Sequence, residues 1–186
     1  MEKQHHLQDD LTSFLNQSIE RAIERHKLEL TPPAQQYLVE MLERFGEAFG
    51  AYQQGWLAPV TFQYQRITEE ANKLQRMQQQ QELGDHCLFL VGYFYDFIRK
   101  QGEGQIKYHA QIGSAAYRQT GRTPFVEVGQ KFGDLYLVIG DLHLPQLDEK
   151  RTVEIYERWE ETRDRYYASL LTGKGIIPHP LKKNSN

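Results

Sequence analysis

The chain has 186 residues, 39% hydrophobic and 25% charged, with 22 basic against 25 acidic side chains and a formal net charge of −3. That size and balance fit a single soluble globular domain whose core needs no disulfide or metal staple. They exclude a disordered chain and weigh against a nucleic-acid partner, which calls for a basic face.

The lone cysteine, Cys87, excludes an intrachain disulfide and a multi-cysteine zinc site. The polar N-terminus MEKQHHLQDD lacks the apolar stretch of a signal peptide. The longest apolar run, Cys87 to Tyr95, falls far short of the roughly 20 residues needed to span a bilayer. The expectation is a cytoplasmic protein with neither a membrane span nor a nucleic-acid partner.

Helical periodicity dominates in chain order. Leu11, Phe14, Leu15, Ile19, Ala22 and Ile23 mark a first helix from about Asp9 to Lys27, capped by Asp9 or Asp10. Thr31-Pro32-Pro33 reads as the N-cap and first turn of a second, with Leu38, Met41, Leu42, Phe45, Phe49 and Tyr52 as its buried stripe. A third is predicted from about Pro59 to Glu82, with Val60, Tyr64, Ile67, Ala71, Leu74 and Met77 along one face. Its glutamine-rich end, QRMQQQQ, reads as a solvated face.

Gly84 breaks that pattern, and Asp85 is expected to cap a fourth helix reaching about Lys100. On a wheel of about 100° per residue, Asp85, Gly92, Asp96 and Arg99 share one stripe and nearly all else is apolar, the mark of a buried central helix. Ile106–Gln119 gives a fifth helix and Thr123–Leu142 a sixth. Residues from about Asp148 to Leu171 give a seventh, packing through Ile155, Tyr156, Trp159, Tyr166, Leu170 and Leu171. The predicted fold is an all-α bundle of about seven helices, with residues 1–172 one domain and 173–186 an extended or disordered tail.

The segment Gly84–Arg118 concentrates the chemistry-bearing residues. Asp85, His86, Tyr93, Asp96, His109 and Tyr117 are the candidate ligand-binding residues, and no catalytic residue stands out. Asp85 beside His86 has two readings, a helix cap or an orienting carboxylate. Adjacent helical residues diverge by about 100°, which favours the cap. Asp96 is expected to pair with Arg99 three residues on. With His5 and His6 at the N-terminus and His179 in the tail set aside, His26, His86, His109 and His143 show no HExxH or ExxH spacing, so no metal and no cofactor is expected. There is no GxSxG elbow or phosphate loop either.

On the sixth helix, Glu127, Asp134 and Asp141 read as the wet face, and Gly129, Gly133 and Gly140 as a buried one. Gly113, with Ala110, Ser114 and Ala116, makes a second small-residue surface, and Gly46 with Gly50 a third. Close helix crossings explain these; a ligand slot lined by Tyr93, Tyr108, Tyr117 and Tyr136 is the alternative.

The order Gly84-Asp85, Leu88-Phe89, Gly92-Tyr93-Phe94, then Tyr108, Gly113, Ala116 and Tyr117 resembles a group of uncharacterised bacterial helical proteins. The resemblance implies a bacterial cytosolic all-α protein and brings no activity with it. The expected function is a non-enzymatic interaction or regulatory protein, self-associating or holding a protein partner through aromatics such as Tyr52, Trp56, Trp159, Tyr166 and Tyr167. The alternative is a small-ligand or metal-binding bundle, an oxidoreductase similar to haem-oxygenase-like or ferritin-like architectures.

Overall fold

The computed structural model describes residues 2–49, 60–102 and 104–179, and of residues 2–10, 47–49, 61 and 62 the backbone alone. The described residues are all-α, forming ten α-helices and one 3₁₀ helix with no strand among them. The chain divides into two compact units after Ile139.

The first unit holds α1 (Glu2–His26), α2 (Pro32–Phe49), α3 (Val60–Glu69), α4 (Lys73–Tyr93), α5 (Tyr95–Lys100), α6 (Gln105–Gln119), α7 (Phe125–Gln130) and most of α8 (Phe132–Gly140). Because α1 begins at Glu2, Asp9 and Asp10 lie inside it and not at its cap. The expected cap Thr31 works differently too. Its hydroxyl and amide both donate to the Glu127 carboxylate, the amide at 3.0 Å, and Lys131 pairs with the same carboxylate at 3.2 Å. Glu127 is thus a tether between α7 and the start of α2, and not part of a wet face.

The predicted third and fourth helices are redistributed. Asn72 ends the first stretch by accepting from the Leu74 and Gln75 amides at 2.9 and 3.3 Å, the geometry of an N-cap. From there α4 runs unbroken through Gly84 to Tyr93 and stops where Phe94 leaves helical geometry. From Leu83 to Gly92 every residue except half-buried His86 is buried, so this is the central helix the apolar wheel called for.

α4 and α6 approach closely because glycines face bulky side chains. A Cβ on Gly84 would sit 2.7 Å from the Tyr117 ring. One on Gly113 would sit 2.6 Å from both Cys87 Cβ and the Phe132 ring. Gly129 likewise meets Ser114 O and Tyr117, so helix crossings account for these small residues. Gly133 departs from the expected buried face: it is exposed, with open space where a Cβ would be.

The second unit contains the 3₁₀ helix Asp141–Gln146, α9 (Glu149–Thr162) and α10 (Arg165–Gly173). Asp141 is 5% exposed, so the predicted row of solvent-facing acids fails at its end as well. The single helix expected over 148–171 is interrupted at Arg163, which takes a left-handed φ of 55° and lays its guanidinium 4.4 Å from the Trp159 ring centroid. Asp164 then caps α10 through the Tyr166 amide at 3.0 Å. Trp159, Tyr166 and Tyr167 are buried, which removes them as interface aromatics, whereas Tyr52 and Trp56 lie outside the described residues.

Candidate functional site

Asp85 does not cap a helix. With the start of α4 moved back to Asn72, it sits in mid-helix, 5% exposed, where a carboxylate needs donors to offset lost hydration. Three converge on it. The hydroxyls of Tyr37 and Tyr117 both donate to Oδ1, Tyr117 at 2.6 Å, and Arg44 Nη2 donates to Oδ2 at 3.0 Å. The knot joins α2, α4 and α6.

Burial pushes the Asp85 carboxyl above its ordinary range, although the Tyr117 and Tyr37 hydroxyls and the Arg44 charge all pull it down. Burial, reinforced by Asp85, likewise raises both phenols, which keeps them protonated and donating. Three donors are the complement of an ionised carboxylate. Arg44 is the knot's wet end, with 53% of its side chain exposed against 7% for Asp85. The arrangement holds these protons in hydrogen bonds that tie three helices together.

The remaining nominated residues do not join the knot. His86 is half-buried, and burial, helped by neighbouring His109, lowers its pKa to about 4. His109 is buried and donates from Nδ1 to the Gln105 carbonyl one turn earlier, at 2.8 Å. Tyr93 stacks on Phe89, with ring centroids 5.3 Å apart, and Phe89 stacks in turn on Phe45 at 4.5 Å. Asp96 and Arg99 are half-buried on α5, so the polar stripe runs from fully buried at Asp85 and Gly92 to half-buried at its far end. Cys87 is fully buried, and burial drives its thiol pKa up. No group of three or more metal-ligating side chains occurs among the described residues.

Tyr37 and Arg44 were missed by the sequence reading. Their signal was available: Tyr37, Met41 and Arg44 fall at i, i+4 and i+7 on one face of α2, and Met41 was already placed in the buried stripe.

A recess among the described residues lies elsewhere, where the break at Asn72 folds the predicted apolar stripe onto two helices. Tyr64 and Ile67 of α3 now face Met77 of α4 across a cleft of about 510 Å³. Lys73 and Arg76 line it from the first turn of α4, and Gln80 and Gln119 close it between α4 and α6. Gln80 belongs to the glutamine run expected to be solvated, yet it is 8% exposed and donates to Gln119 Oε1 at 3.2 Å. None of the six nominated residues lines this cleft.

No known protein family, curated protein or solved structure matches the chain. No helix among the described residues is long and apolar enough to cross a membrane.

Proposed function

We propose that the protein binds a small molecule, without transforming it, in the cleft between α3, α4 and α6. The carrying observation is the cleft itself, whose volume of about 510 Å³ falls in the range typical of small-molecule sites. Among the described residues its lining contains apolar surface, two cations and two amides but no carboxylate, imidazole or thiol. It therefore has the means to hold a ligand and lacks the usual acid–base pairs. A molecule seated there touches α3, α4 and α6 together. It spans the 70–72 joint and reaches the helix pair that carries the Asp85 knot, which suits a regulatory, ligand-sensing role.

The test uses two fluorescent probes of matched shape, anilinonaphthalene sulfonate and neutral N-phenyl-1-naphthylamine. Saturable one-to-one binding of either, abolished when Met77→Trp fills the cleft while helicity is retained, is the expected result. Failure of both probes to bind saturably, or binding indifferent to Met77→Trp, would overturn the reading.

A further inference from the structure

We infer that the ligand is an amphipathic anion, a molecule with an apolar body and one carboxylate, sulfonate or phosphate group. This inference rests on the cleft being a ligand site and concerns what that site selects.

The charge in the cleft is of one sign. Lys73 and Arg76 stand three residues apart on α4, a spacing that puts both on one helix face. Neither makes an ion pair with a described residue, and none of the described lining residues is acidic. Two cations bordering a partly enclosed recess attract an anion more strongly than the same charges on open surface.

The neutral polar groups do not oppose this by adding negative charge. The two threonine hydroxyls of the lining are already committed as donors, Thr68 to the Gln65 carbonyl at 2.6 Å and Thr120 to the Tyr117 carbonyl at 2.7 Å. The Gln80 amide donates to Gln119 Oε1, which leaves the NH₂ of Gln119 as a donor not used within the pair. The Tyr64 hydroxyl adds another donor at the rim, on a side chain 37% exposed. The neutral groups are therefore mixed, threonine oxygens and Gln80 Oε1 as acceptors against the Gln119 NH₂ and the Tyr64 hydroxyl as donors, and it is the two cations that set the preference for an anion.

The opposite wall requires the apolar body. Ile67, 4% exposed, lies at the floor, and half-buried Met77 with the exposed Tyr64 ring supplies the apolar surface that a small hydrated ion would leave uncovered. Inorganic phosphate would satisfy the cations and forfeit this wall.

The same two probes decide the class, now compared with each other. Anilinonaphthalene sulfonate is the less hydrophobic of the pair, so tighter binding of it reports the cations and not the wall. We expect it to bind at least about tenfold more tightly than the neutral probe, with Arg76→Gln and Lys73→Gln each costing about fivefold, as for one partly exposed charge-assisted contact. The neutral probe should bind both variants as it binds wild type. Equal affinity for the two probes, or indifference of the sulfonate to both substitutions, would overturn the anion inference while leaving ligand binding intact. Full displacement of the sulfonate by millimolar inorganic phosphate would overturn the amphipathic part. Absence of saturable binding by either probe would overturn both the inference and the function it rests on.

Discussion

The Tyr117 hydroxyl reaches Asp85 Oδ1 at 2.6 Å because the Tyr117 ring lies flat enough on Gly84 that a methyl group there would stand 2.7 Å from it. The glycine and the carboxylate next to it thus act together. One lets α6 approach α4, and the other receives the hydroxyl that the approach delivers.

Asp85→Ala should cost about 2–4 kcal/mol, because it strands two buried phenol donors as well as removing the acceptor. Tyr117→Phe, which removes a single donor, should cost about 1–2 kcal/mol. Urea denaturation monitored by circular dichroism measures both. A loss below about 0.5 kcal/mol for Asp85→Ala would show that the knot contributes nothing to stability.

Glycine substitutions should split by sign. Gly113→Ala drives a methyl group into Cys87 and Phe132 and should cost about 1–3 kcal/mol by overpacking. Gly133→Ala meets open space on α8 and should gain about 0.5–1 kcal/mol from backbone entropy. Thermal unfolding of the two variants provides the comparison, and a gain from Gly113→Ala would contradict the α4–α6 packing.

Acid should weaken the fold through His86. Its pKa falls from 6.5 to about 4, so between those values the unfolded chain binds the extra proton. The His86 contribution is present above pH 6.5 and is lost as pH falls toward 4. Asp85, whose carboxyl is raised, works in the opposite sense: its contribution is present below the ordinary carboxyl range and is lost as pH rises through the folded value. His86→Gln should therefore reduce the rise in unfolding free energy between pH 4 and 7 by about 1–3 kcal/mol. Identical pH profiles for wild type and variant would refute this.

Cys87 should resist thiol reagents in the native state and react fully in denaturant, since it is fully buried and its thiolate is disfavoured by burial. Ellman's reagent added with and without guanidinium reads this directly. Prompt native labelling would mean that α4 and α6 separate readily at Gly113.

Asn72→Ala should cost about 1 kcal/mol by removing the α4 cap. If the cap shapes the cleft, the same variant should also weaken sulfonate-probe binding. Stability measurements and probe titrations on one sample separate the two effects.

Much of this was legible in the sequence. The apolar positions from Leu83 to Gly92 have no wet side, and this alone identified the central helix. Periodicity also placed α6 nearly at its observed ends, and the Thr31-Pro32-Pro33 signal placed the start of α2. The excess of observed over expected helices comes from breaks that periodicity does not register. Asn72, Phe94, Lys131 and Arg163 each interrupt a stripe that continues in register on both sides. Asn72 carried a local signal as a good N-cap residue, and so did Asp164 directly after the Arg163 break.

What the sequence by itself determined was the all-α class, the buried centre and the small-residue crossings, because these depend on side-chain type at fixed local spacing. The tertiary structure decided the role of Asp85, whose partners Tyr37 and Arg44 lie 48 and 41 residues away. It also decided the cleft, since Gln80 becomes a buried wall only when α6 brings Gln119 against it, 39 residues on. Periodicity describes which side of a helix is apolar, but a hydrogen bond or a recess depends on which helices meet, and that is set by packing across the whole unit.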